Sequence, residues 1–314
     1  MRSADQLIPV AAGVLFDKRG RVLVQRRAKG THLEGTWEFP GGKADPEESR
    51  HGALARELRE ELGIEVREAR PLIRIQHTYS EKTVLLDVWR VESFDGEPRG
   101  LEGQPIEWVF PEDLSNLEMP PADRPIVNAV RLPDTCVVTG DGPAADSAFL
   151  ERLEALLHAG ARLIQLRTDR DRAALEPLAR AAAAACGRHG AWLVLNGDPE
   201  DALDWGAHGV HLTSAGLRRF RERPVPGALW LSVACHDSGE LELAARLDAD
   251  FVLASPVHPT TSHPDATTLG LAGFSDLCRE APMPVYALGG MGPGDCDAVW
   301  RAGGQGVAGI SGFW

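Results

Sequence analysis

The sequence predicts two folded units in tandem: an α+β domain over residues 1–132, then a closed (β/α)8 barrel of the α/β class over residues 133–314. Three observations predict it. A chain of 314 residues is long for one domain, because about 150 residues per domain favours two. Before Leu132-Pro133-Asp134, alternating apolar and polar runs are mixed with one strongly charged helical stretch. After it come short apolar runs separated by Ala- and Leu-rich segments, the mark of parallel βα units.

In the first domain, Arg21–Gln25 and Thr83–Trp89 read as strands and Arg50–Leu62 as the charged helix. In the second, eight strands are expected around Val137-Val138, Leu163–Leu166, Trp192–Leu195, Val210–Leu212, Leu229–Leu231, Phe251–Leu253, Val285–Leu288 and Val307–Ile310. Eight βα units suit a closed barrel with short loops. An open doubly wound sheet would call for a G-x-G-x-x-G turn after its first strand, and there is none. The run Ala181–Ala185 lies inside a helical pattern, where alanine has the best propensity.

The composition, 43% apolar and 25% charged, excludes wholesale disorder and is ample for two cores. With 46 acidic and 33 basic residues the net charge is −13, which repels nucleic-acid polymers but admits a small phosphorylated ligand through a bridging divalent cation. Five cysteines without C-x-x-C spacing read as reduced thiols, as in the cytoplasm. Met1–Gln6 carry no export signal, and no apolar run reaches the ~18–20 residues of a membrane span.

Glu57, Glu60 and Glu61 stand at i, i+3 and i+4, so a helix projects them from one face, where like charges repel. A hard divalent cation relieves that crowding, and Mg2+ suits carboxylates combined with substrate phosphates. Gly41 and Gly42 allow tight turns ahead of the helix, leaving the Gly41 carbonyl as a further ligand. For an arbitrary helix a solvated acidic face with Glu–Arg pairs would be the simpler account, but the wider spacing overturns it. Gly42, five residues, Glu48, seven residues, then Arg56-Glu57-Leu58-x-Glu60-Glu61-x-Gly63-Ile64 fill nine specified positions. This half resembles a Nudix hydrolase.

That resemblance implies an α+β Nudix fold and hydrolysis of a nucleoside diphosphate linked to another moiety. Glu57, Glu60 and Glu61 would hold Mg2+, or Mn2+ in its place, with Glu57 assisting the attacking water and the Glu48–Arg56 pair orienting helix and loop. Gln25-Arg26-Arg27-Ala28, His32 and Trp37–Lys43, then Gly96-Glu97-Pro98, Glu102–Pro105, Glu107-Trp108 and Pro120-Pro121-Ala122, are similar to the MutT-like 8-oxo-dGTP diphosphatases that cleanse the nucleotide pool and so spare DNA repair. On that likeness Glu102 is a distal metal ligand, Arg27 contacts the phosphate or sugar, and Phe39 lines the base pocket, core packing being the alternative for Phe39. One position departs: those enzymes carry Asn after Pro-Pro-Ala, and this chain has Asp123. An ionised Asp only accepts, so it could take the N7–H of an 8-oxopurine but would leave O6 without a donor unless protonated.

The second half resembles thiamine phosphate synthase and its relative TenI, a thiazole tautomerase. Gln165-Leu166-Arg167, Leu195-Asn196, Gly209–Leu212, His236, Ala254–Thr260, Gly289-Gly290 and Gly309–Gly312 carry the likeness. They fall at strand C-terminal ends, where barrel sites form. By resemblance Gln165, Arg167 and Asn196 bind substrate. Gly290 and Ser311 suit a phosphate cradle, tight βα turns being their simpler account. The synthase pattern fails at Gly197, Gly216, Asp169, His263 and Ala234, where metal ligands, lysines and a serine belong. TenI also lacks those ligands and relies on a histidine placed like His236 to move protons.

The leading expectation is a Mg2+-dependent pyrophosphohydrolase of a nucleoside triphosphate, 8-oxo-dGTP foremost, with a degenerate barrel binding a thiamine-related phosphate. Two alternatives stand beside it. In one, the barrel has synthase or tautomerase activity and the Nudix half trims thiamine-related diphosphates. In the other, the protein senses ligands without turnover.

Overall fold

The computed structural model describes residues 7–79, 82–140, 145–260 and 267–314. Met1–Gln6 and His263 lie outside the described residues. The chain forms two compact units, Met1–Arg131 and Leu132–Trp314, each with its own core.

The first unit runs β1 (Leu7–Leu15), β2 (Val22–Arg26), β3 (Trp37–Glu38), β4 (Gly41–Lys43), α1 (Arg50–Leu62), β5 (Glu65–Thr78), β6 (Thr83–Asp95), β7 (Ile106–Val109) and α2 (Arg124–Arg131). One mixed sheet has the order β4-β1-β6-β5, with β1 parallel to β6 and antiparallel to β4. A smaller antiparallel sheet has the order β3-β2-β7. Alternation along β1 sends Ala11 and Leu15 to the α1 side and Ala12 and Val14 to the α2 side, so the larger sheet is packed on both faces. Gly13 lets α1 come close: a Cβ there would sit 2.9 Å from Leu58 Cδ1.

Helix α1 buries Leu54, Leu58 and Leu62, one residue per turn. Its start is fixed by Ser49, whose side chain accepts from the Gly52 N–H at 3.0 Å. Its end is fixed by Gly63 at φ 70°, whose N–H donates to the Arg59 carbonyl. These caps set the rotational phase that aims Glu57 and Glu61 toward β4.

In the second unit the strands are β8 (Thr135–Val138), β9 (Leu163–Leu166), β10 (Trp192–Asn196), β11 (Gly209–Leu212), β12 (Trp230–Cys235), β13 (Phe251–Ala254), β14 (Val285–Leu288) and β15 (Gly306–Gly309). The helices between them are α3 (Asp146–His158), α4 (Arg172–Arg188), α5 (Pro199–Asp204), α6 (Ser214–Leu217), α7 (Ser238–Arg246), α8 (Gly270–Glu280) and α9 (Cys296–Arg301). All neighbouring strands pair in parallel, and β15 pairs with β8 to close the barrel. Leu163, Val194, Trp230, Phe251 and Tyr286 fill its interior, and a second apolar layer joins the strands to the outer helices, including Ala179, Ala182, Ala183 and Ala185 of the alanine-rich α4. Strands buried on both faces explain why most positions in each short run are apolar, with Gln165, His211 and Ser232 as polar exceptions.

Candidate functional site

In the first unit the sheet and α1 bring the predicted carboxylates to the Gly41–Gly42 turn. Glu61 is held from two sides: the Gly41 N–H and Gln25 Nε2 both donate to its Oε2 at 2.9 Å. Gln104 Nε2 donates to the Glu61 carbonyl at 3.1 Å and to Gln25 Oε1 at 3.3 Å, which ties the 100–105 loop to the site. Burial, with Glu38 and Glu57 adding repulsion, pushes Glu61 up to about 7. Glu57 leans on Gly42, where a Cβ would lie 2.4 Å from Glu57 Oε2, so only glycine leaves that space. Burial raises Glu57 above the usual carboxylate range, and Glu60 and Glu102 add to the rise. Glu60 sits at the exposed rim. Glu102 is also exposed, yet close enough to Glu57 to be felt.

Arg56 organises the cluster. It donates to Glu48 Oε2 at 3.0 Å, Glu57 Oε1 at 2.9 Å, Glu60 Oε2 at 3.1 Å and the Lys43 carbonyl at 3.0 Å. One guanidinium thereby faces three carboxylates, and Glu61, beyond its reach, is paired with neutral donors alone. An all-oxygen set with excess negative charge, two members of which are raised by burial and mutual repulsion, fits a hard divalent cation.

Beside this turn a cavity of about 240 Å³ is lined by Arg27, Glu38, Phe39, Gly41, Gly42, Tyr79 and Asp123, among others. Phe39 is both core and wall, only 4% exposed. Arg27 pairs with Glu38 and donates from Nε to the His32 carbonyl at 2.8 Å. Asp123 ends the turn Pro121–Asp123, is 7% exposed, and its Oδ2 has no hydrogen-bond partner among the described residues. Burial, reinforced by Glu38, pushes its carboxyl up to about 8, so it is protonated at neutral pH. Sequence reasoning assigned no role to Gln25, Glu38 or Tyr79. A polar Gln25 in the otherwise apolar Val22–Gln25 run was the available signal.

In the barrel, Gln165 and Asn196 follow inward-facing Leu163 and Val194 by two residues and so point into the mouth. Arg167, His236, Gly290 and Ser311 lie just past the C-terminal ends of β9, β12, β14 and β15, on the same rim. Thr139 Oγ1 donates to the Arg167 carbonyl at 2.7 Å and fixes that strand end. His236 is exposed; its Nδ1 contacts the Ser255 carbonyl, and its N–H donates to Glu240 Oε2 at 3.0 Å. Gly289 and Gly290 are left-handed at φ 101° and 64°, and a Cβ on Gly290 would sit 2.7 Å from His258 Cβ. His211 is fully buried against Ser232 Oγ at 2.9 Å, and burial drives its imidazole down to about 3, a packed neutral histidine.

The mouth does not fit the metal that the synthase likeness implies. Asp198 caps α5, accepting from the Glu200 N–H at 3.1 Å, and pairs with Arg219. Neighbouring positions carry Gly197 and Gly216.

A thiamine monophosphate synthase model matches residues 135–313 and a NUDIX domain model residues 11–129. A thiamine-phosphate synthase of Thioalkalivibrio sulfidiphilus is 36% identical over 59% of this chain and 89% of its own length. An 8-oxo-dGTP diphosphatase of Escherichia coli is 33% identical over 38% of this chain and 93% of its own length. A CTP pyrophosphohydrolase of Escherichia coli is 36% identical over 40% and 91%. The carboxylate helix and the eight-stranded barrel thus each have a family of their own: this chain belongs to the NUDIX hydrolases through its first unit and to the thiamine monophosphate synthase family through its second.

Proposed function

We propose that the first unit is a Mg2+-dependent pyrophosphohydrolase, with Mn2+ as a substitute, that converts 8-oxo-dGTP to the monophosphate and pyrophosphate. The observation that carries this reading is the cavity running from the Gly41–Gly42 turn, against which Glu61 and Glu57 rest, to the buried acid Asp123. Glu57, Glu60, Glu61, Glu102 and the Gly41 carbonyl would hold the cation, which would supply charge neutralisation at the phosphates and a more acidic water. Glu57 accepts the proton of the attacking water. Arg56 keeps Glu57 aligned, and Gln25 fixes Glu61. Phe39 packs against the base, and Arg27 faces the sugar and phosphates.

Neutral Asp123 reads the base. Its O–H donates to O6 of an 8-oxopurine while its C=O accepts from N7–H. Ordinary guanine offers a lone pair at N7 and loses the second bond. The same acid also fits N3 and the 4-amino group of cytosine, which supports a cytidine triphosphate as a second reading, in line with the CTP pyrophosphohydrolase relative.

The barrel is a phosphate-binding module for a thiamine-related ligand, with Gly290 and Ser311 at the phosphate and Gln165, Arg167 and Asn196 around the rest. The left-handed Gly289-Gly290 pair supports it. His236 on the exposed rim supports tautomerase chemistry as the barrel's second reading.

The test is Mg2+-dependent hydrolysis, read as pyrophosphate from 8-oxo-dGTP, dGTP and CTP and as orthophosphate from thiamine diphosphate and hydroxymethylpyrimidine diphosphate, compared by kcat/KM. The reading expects 8-oxo-dGTP to lead and Glu57→Gln to lose about 10²-fold or more. If thiamine-related diphosphates lead, the nucleotide reading falls and both units serve one pathway.

A further inference from the structure

On the outside of the barrel, α3 and α4 end side by side just ahead of β9 and β10, at the barrel end opposite the mouth. Glu154 and His158 are one turn apart on α3, and His189 caps α4. Each offers one ligand atom, and the three atoms all lie within 4.8 Å of one another. Among the described residues no other group of three potential ligands comes as close. We propose that Glu154, His158 and His189 form a site for a borderline divalent transition-metal cation of the zinc type, which clamps α3 to α4.

The geometry brings two imidazoles and a carboxylate within reach of one cation. His189 Nε2 lies 2.8 Å from Glu154 Oε2, and the two imidazole centroids are 4.6 Å apart at 70°. His158 Nδ1 is 2.8 Å from the Glu154 carbonyl. A carbonyl only accepts, so Nδ1, the nitrogen 3.9 Å from Glu154 Oε2, carries the hydrogen in the neutral ring, and Nε2 offers its lone pair once the ring turns toward the cation. Metal-binding histidines are commonly oriented by this kind of bond to a backbone carbonyl.

The surroundings also suit a cation. Both helices present their negative dipole ends here, and Arg162 already sits on the Leu157 and Ala161 carbonyls. Arg188 takes Glu154 Oε1 and leaves Oε2 toward the rings. Cys186, the nearby thiol, is buried and pushed up to about 12, so it stays protonated and outside the set. Two imidazoles and a carboxylate select zinc, nickel or copper over magnesium, and a three-ligand set keeps a position open for water. The site therefore loads independently of the glutamates on α1.

The experiment is a calorimetric titration of the full chain with Zn2+ in millimolar Mg2+, which occupies the α1 carboxylates. One equivalent of Zn2+ should bind, weakened about 10–100-fold in His189→Asn and in His158→Asn, with far-UV circular dichroism unchanged. Independently of any variant, substoichiometric Zn2+ should shift the imidazole 15N resonances of His158 and His189 in the wild-type chain before those of other histidines. Equal Zn2+ binding in wild type and variants, or shifts at other histidines first, overturns the proposal.

Discussion

A carboxyl sealed from water holds its proton late, and Asp123 is buried in the wall of the cavity. Below about pH 8 it is an acid with one donor and one acceptor; above, both oxygens only accept. The carboxylate would still take N7–H of an 8-oxopurine but would face the O6 lone pairs. The value of kcat/KM for 8-oxo-dGTP should therefore fall as pH rises through about 8. Asp123→Asn keeps a donor and an acceptor without titrating, so its profile should stay flat there; an equal fall in the variant would place that titration elsewhere. Stability carries the same signature with its own sign. Between the ordinary 3.8 and about 8, the folded chain holds a proton that the unfolded chain releases, so this group's contribution declines as pH rises. The melting temperature of Asp123→Asn relative to wild type should climb across that window, and a constant difference would contradict the burial argument. The supporting Gln25 is open to the same kind of test: Gln25→Leu removes a donor from Glu61 and an acceptor from Gln104, and should cost about tenfold in kcat with the fold intact by circular dichroism.

At the scale of elements, the β4 turn and α1 act as one part. Two adjacent glycines there separate folding from function. At Gly41 a Cβ would lie 2.1 Å from the Ala11 carbonyl oxygen at φ 146°, so Gly41→Ala should break the β1–β4 pairing and lower the melting temperature sharply. At Gly42 the obstacle is the mobile end of Glu57, so Gly42→Ala should fold but displace that carboxylate, costing about 10²-fold in kcat. Equal melting temperatures for the two variants would refute this division. Helix α1 was legible in the sequence because leucine spacing, Ser49 and Gly63 all point the same way. The barrel strands were legible because burial on both faces leaves mostly apolar residues, broken by site or buried polar residues such as Gln165 and His211. The long β5–β6 hairpin was only partly so, since its 14 and 13 residues twist through irregular register shifts where alternation fails. The state of Asp123 could not be read at all, because it is set by burial, with Glu38 adding to the rise from a strand more than eighty residues earlier.

The whole molecule joins two units with separate cores, one with a carboxylate cluster at the Gly41–Gly42 turn and the other with a barrel mouth whose Asp198 is engaged in capping α5. Distance along the chain hides such facts as the meeting of His189 with Glu154, which only βα packing brings about. Separate cores also imply separable sites. At Gly290 the backbone is left-handed and a Cβ would meet His258 Cβ at 2.7 Å and the Pro259 carbonyl at 2.9 Å, so Gly290→Ala should distort the loop that approaches a phosphate. In the full chain this variant should weaken calorimetric binding of inorganic phosphate about tenfold, since the backbone donors are lost as a group. Hydrolysis of 8-oxo-dGTP should change by no more than about twofold, the expectation for independent sites. A parallel loss of both would mean that the barrel's ligand governs the hydrolase, and the protein would then be a regulated enzyme instead of two modules sharing a chain.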